Sequence, residues 1–86
     1  MKLNASFVKH TMDDKTLVIP LGGASFHGVV KGNKRVGVIL DCLEHDTTEE
    51  EIVGVMCKRF DGDPVQIRED VHNVLTQLKG IGAIDE

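Results

Sequence analysis

The hydrophobic pattern of this chain changes once, near Asn33, and that change limits what the chain can build. Before it, short apolar runs alternate with turn residues. Phe7 to Met12, then the polar turn Met12-Asp13-Asp14-Lys15, then Lys15 to Leu21 spell a hairpin. Pro20 belongs at the end or edge of its strand, because it has no N–H to give to a ladder. After the loop Leu21 to Ser25, Phe26 to Lys31 reads as a third short strand, interrupted by Gly28 and closed by Gly32-Asn33.

Beyond Asn33 the apolar spacing is helical. Val36, Ile39, Leu40 and Leu43 fall at i, i+3, i+4 and i+7, with Asn33 placed to cap. A second helix opens at Thr47-Thr48-Glu49-Glu50, read as a capping box with Thr47 at the cap and Glu50 reaching back. Acid at its start and Lys58-Arg59 at its end both suit the helix dipole. Its apolar face is Ile52, Val53, Met56, Cys57 and Phe60. A third helix opens at Asp63-Pro64-Val65-Gln66, with Asp63 as cap, Pro64 in the first turn and Gln66 reaching back. It carries the stripe Ile67, Val71, Val74, Leu75 and Leu78 and is expected to stop at Gly80. Gly82 to Asp85 reads as an extended tail or wing. Three strands followed by three helices describe an α+β fold: a three-stranded antiparallel sheet with a winged helix-turn-helix bundle, in a single domain over residues 1–86.

Composition narrows the function. The net charge of −4 and the absence of Trp and Tyr argue against a nucleic-acid surface, which needs cations and stacking rings. The longest basic cluster is Lys31, Lys34 and Arg35. No apolar run approaches the roughly 20 residues of a membrane span, and the first ten residues lack a signal-peptide core. Two cysteines are too few for a disulfide framework, so a cytoplasmic chain with reduced thiols is expected. Cys42, His45, Cys57 and His72 are zinc-type ligands at poor spacing, and Cys57 lies on an apolar stripe. Asp13-Asp14 and Glu49 to Glu51 are acidic, but the second run is accounted for by a helix start. Ser6, Ser25 and the cysteines have no evident base nearby, and Gly22-Gly23 is not followed by the Gly-Lys-Ser/Thr of a phosphate loop. No enzyme, metal or cofactor is expected.

The ordered elements resemble the PqqD-like family of precursor-peptide recognition elements. The residues that carry the likeness are H-G-V-V-K-G-N at His27 to Asn33, T-T-E-E-E-I at Thr47 to Ile52, F-D-G-D-P at Phe60 to Pro64, and D-V-H-N-V-L-T-Q-L-K-G-I-G at Asp70 to Gly82. Where many members have aromatics, this chain has Val29, Val30 and Val74, and where many have Leu before the Asn it has Gly32. The resemblance implies a non-catalytic peptide chaperone. Its partners would be the leader segment of a ribosomally made precursor peptide and a modifying enzyme, radical SAM enzymes among them. The leader would add as a strand to His27, Gly28, Val29, Val30 and Lys31 and drop side chains against the last helix. There Arg68 is expected to meet an acidic leader residue, and Val71 and Leu75 to line an apolar slot. Strand addition supplies affinity through backbone groups and specificity through pockets. Each pick has a plainer reading: Val71 and Leu75 as core, Arg68 as a solvated charge, Gly28 as a bulge. The alternative function is a winged-helix DNA-binding transcriptional regulator. A third is a structural dimer through the same strand edge. A monomer or weak dimer is expected.

Overall fold

The computed structural model describes residues 1–12, 15–21 and 30–85. Its elements are β1 (Lys2–Leu3), β2 (Phe7–Met12), β3 (Lys15–Pro20), β4 (Val30–Gly32), α1 (Lys34–Cys42), α2 (Glu49–Arg59), α3 (Pro64–Gly80) and β5 (Ile84–Asp85). β2, β3 and β4 form an antiparallel sheet in that order. The hairpin stands where the sequence predicts it, with Phe7 opposite Pro20 and Met12 opposite Lys15. The third strand runs over Val30–Gly32, one residue past its predicted end, and the predicted stretch 26–29 lies outside the described residues.

The pleat sorts the sheet into two faces. Phe7, Thr16 and Val18 are buried toward the helices, whereas Val8, His10 and Met12 are exposed on the other face. Val18 and Phe7 join a core built from the stripes of all three helices: Ile39, Leu40 and Leu43, then Ile52 and Met56, then Ile67, Val71, Leu75 and Leu78. Two glycines allow the sheet and α1 to meet closely. A Cβ on Gly32 would lie 2.5 Å from the Val36 side chain, and one on Gly37 would lie 2.6 Å from Thr16 Oγ1. Thr16 is the buried polar side chain of the sheet, at 2% exposure, so Gly37 sits directly over it.

Capping follows the sequence at two helices and departs from it elsewhere. Asn33 Oδ1 accepts from Val36 N–H at 3.2 Å, and Asp63 Oδ1 from Val65 N–H at 2.9 Å. At α2 the cap is Thr48, one residue later than predicted: its Oγ1 accepts from Glu51 N–H at 3.2 Å. Thr47 donates its hydroxyl to Glu51 Oε2 at 2.9 Å. Two adjacent threonines followed by three glutamates offer two capping registers, and Thr47 is instead held to the start of the chain, its N–H bonding to Met1 O at 2.8 Å. Gln66 does not reach back. It donates to Asp70 Oδ1 one turn on, at 3.0 Å.

Gly80 does not end α3. The helix continues through it, and Gly82 takes the left-handed conformation, φ 76°. Gly82 N–H bonds to Lys79 O and Ala83 N–H to Leu78 O, the paired bonds of a Schellman stop. That turn aims the tail back along the molecule. β5 pairs with β1, Lys2 opposite Asp85 and Leu3 opposite Ile84, so the tail closes a two-stranded ribbon instead of projecting as a wing. β1 had no signal in a two-residue apolar pattern. It is held by Leu3 N–H to Leu43 O at 2.9 Å and Asn4 N–H to Ala83 O at 2.7 Å.

Candidate functional site

Among the described residues, β4 pairs with β3 on one side and has no strand on the other. Its backbone therefore presents one row of donors and acceptors outward. Gly32 opposite Thr16 lies on the buried face and packs on Val36, while Lys31, opposite Leu17, is exposed on the other face.

A hollow of about 370 Å³ opens where β4 gives way to α1. Asn33, Arg35, Val36 and Ile39 supply one wall, Met56 the base, and Asp70, Asn73 and Val74 of α3 the far wall. Ile39 and Met56 are fully buried core residues, so the floor is rigid and apolar. The rim is polar. Arg35 Nη1 lies 3.8 Å from Asp70 Oδ2, a loose pair between two half-exposed side chains. The guanidinium is steadied from behind by the Phe60 ring, 5.3 Å from its centroid. An apolar floor under a polar rim is the usual make-up of a small binding pocket.

The predicted site residues separate into three groups. His27, Gly28 and Val29 lie outside the described residues. Val30 and Lys31 are in β4, which ends one residue before Asn33, the first residue of the hollow's wall. The three picks on α3 fall elsewhere. Val71 and Leu75 are 0% and 1% exposed and belong to the core. Arg68 points to the opposite side of α3, where it is ion-paired with Glu50 of α2; its Nη2 lies 3.3 Å from Glu50 Oε2. The hydrogen bonds of Arg68, and then its charge, hold the Glu50 carboxyl below the usual carboxylate range. His72 Nδ1 lies 3.2 Å from Glu49 Oε1 on the same side.

The residues of α3 that face the hollow are Asp70, Asn73 and Val74, spaced i, i+3 and i+4. The sequence carried a signal for them. A helix whose stripe includes both Val71 and Val74 has its buried centre on one and a flank on the other, and the flank with polar neighbours opens to solvent.

A second hollow, about 300 Å³, lies across α1 and is lined by Lys9, Thr11, Thr16, Lys34, Gly37, Val38, Asp41 and Arg59. Lys9 is tied there to Asp41, and to Glu44 at 3.4 Å. Like the first hollow, it has no β4 residue in its lining.

Cys42 is half-buried, and burial pushes its thiol pKa up, with Arg59 opposing. Cys57 is exposed, not inward as its place in the stripe suggested, because α2 turns only Ile52, Val53 and Met56 fully into the core. Among the described residues, no three His, Cys, Asp or Glu side chains are grouped to hold a metal ion. None of the described helices is long and apolar enough to cross a membrane.

Comparison with known proteins bears on this arrangement. No curated protein matches the chain in sequence. One solved structure, TbiB1 in complex with the TbiA(beta) leader peptide, superposes with a TM-score of 0.76 at 24% identity. The match covers 99% of this chain and 100% of that one, so the two share the fold from end to end. The family model for coenzyme PQQ synthesis protein D matches residues 27–84, from just before β4 through α1, α2 and α3 to β5. A match over that much of the chain, on the elements that frame the hollow, makes this protein a member of the PqqD family.

Proposed function

We propose that this protein binds the leader segment of a ribosomally made precursor peptide at β4 and presents it to a modifying enzyme, without catalysing a step itself. The open side of β4, followed at Asn33 by a hollow with an apolar floor, carries the reading. A peptide laid along β4 satisfies the outward backbone groups, and alternate side chains reach the slot between α1 and α3. The fold shared with TbiB1, a protein solved with a leader peptide bound, supports the same use of this fold here. In this reading the specificity wall of α3 is Asp70, Asn73 and Val74, with Val71 and Leu75 supporting it from below.

Strand addition suits delivery. A few backbone hydrogen bonds at about 1 kcal/mol each and one or two aliphatic anchors at about 1.5–3 kcal/mol each are offset by several kcal/mol of peptide ordering. The balance is binding of micromolar order or weaker, which permits release after modification.

The test is titration of the ¹⁵N-labelled chain with leader peptides encoded by small precursor genes beside its own gene. Amide shifts concentrated at Val30 to Val36 and at Asp70 to Val74 are expected. Binding that moves only the Glu50–Arg68 side of α3, or no shift with any such peptide, would overturn the proposal.

A further inference from the structure

We infer that the peptide taken at β4 alternates an aliphatic residue, facing the hollow, with a carboxylate that faces Lys31. The inference rests on the strand-addition reading above and specifies the chemistry of its ligand. In a strand added beside β4, successive side chains point to opposite faces. β4 fixes which face is which. Gly32 lies opposite buried Thr16 and against Val36, so residues in line with it look toward the helices and the slot. Lys31 lies opposite Leu17 on the outer face, is exposed, and belongs to none of the ion pairs of the described residues. A residue beside it on an added strand is a cross-strand neighbour, where opposite charges attract and like charges repel.

The surrounding charge points the same way. The chain carries a net charge of −4, yet Lys31, Lys34 and Arg35 fall within five residues that contain no acid. α1 begins with two of these cations and has no acidic residue in its first turn, whereas α2 begins with Glu49, Glu50 and Glu51. Cations at a helix start oppose the dipole, so helix stability does not account for them. Lys34 is in no ion pair among the described residues. The carboxylate facing Arg35, Asp70, stands at 3.8 Å and also accepts from Gln66. Lys31 and Lys34 thus carry positive charge that no ion pair of the described residues uses, with Lys34 turned to the hollow on the other side of α1. Arg68, the other cation considered for this role, is already taken by Glu50 on the far side of α3.

A phage-displayed library of random 14-residue peptides, panned on the full chain, tests this without knowledge of the natural leader. Selected peptides are synthesised and titrated into the ¹⁵N-labelled protein. The expected result has three parts: amide shifts at Val30 to Gly32; enrichment of Asp or Glu next to Val, Ile or Leu; and roughly threefold weaker binding when that acid becomes its amide. Lys31→Glu should weaken the acidic peptides about tenfold, Lys31→Gln less, and a peptide with Lys in place of the acid should recover binding to Lys31→Glu. Lys31 is exposed, so both variants are expected to keep the circular dichroism spectrum of the parent. Peptides that shift β4 but show no acid enrichment, with Lys31→Glu within twofold of the parent, would overturn the inference and leave strand addition standing. A library that yields no peptide at β4 removes both. Shifts of the same amides by a DNA duplex, with no peptide selected, would reassign the cluster to phosphate.

Discussion

The two sides of α3 are built from similar residues and do different things. On the side facing α2, Arg68 is ion-paired with Glu50, and His72 Nδ1 lies 3.2 Å from Glu49 Oε1, so polar groups meet across the helix pair. On the side facing α1, Asp70 and Arg35 stand 3.8 Å apart over an apolar floor, and the space between the helices stays open. The first side is closed by its own side chains. The second leaves an open slot whose wall begins at Asn33, the residue after β4. A charged residue on a helix is therefore no guide to a binding site until its partners are known.

That contrast can be broken at several points. The largest effect is expected from Leu75→Ala, which empties a core position between the two sides. It should lower unfolding stability by about 2–5 kcal/mol in a urea melt while leaving peptide affinity unchanged wherever the chain is folded. A large affinity loss with little change in stability would return Leu75 to the slot. Gly32→Ala comes next. Its Cβ would meet Val36 at 2.5 Å, so β4 or α1 must shift, at about 1–3 kcal/mol, and peptide binding should fall with it.

A paired comparison sharpens the two sides directly. Val74→Asp puts a second carboxylate into the slot beside Asp70 and should weaken peptide binding about tenfold, near 1.4 kcal/mol, with the circular dichroism spectrum kept. Arg68→Ala should stay within twofold in the same titration. Equal losses would mean that the peptide spans both sides.

The smallest effect is a pH dependence. Arg68 lowers the Glu50 pKa in the folded state, so this pair contributes stability above the unfolded carboxylate pKa, near 4.3. The contribution is lost as pH falls through the lower folded value. Both groups are exposed, so the slope is shallow. Melts at pH 7 and pH 3 should show it in the parent and a reduced difference in Arg68→Ala.

The helices were legible because their signals are local. Asn33 and Asp63 cap through their own side chains, and the stripes at Ile39, Ile52 and Ile67 follow from period alone. The hairpin was legible for the same reason, from alternation and a polar turn. Local ambiguity produced the near misses: Thr47 and Thr48 both satisfy a capping rule, and Gly80 and Gly82 both satisfy a stop rule. Long-range contacts accompany the outcome, through the bond of Thr47 N–H to Met1 O and the return of the tail to β1. β1 and β5 are two residues each and exist only because the two termini meet.

The site shows the same division. By itself, the sequence determined that a short strand is followed by a capped helix, that a basic cluster sits at their junction, and that α3 is amphipathic. Those properties depend on residue type and spacing along one element. The tertiary structure decided which flank of α3 faces that junction, because the rotation of a helix about its axis is set by what packs beneath it. With Val71 and Leu75 driven fully into the core, Asp70, Asn73 and Val74 turn to the slot, and Arg68 turns to Glu50.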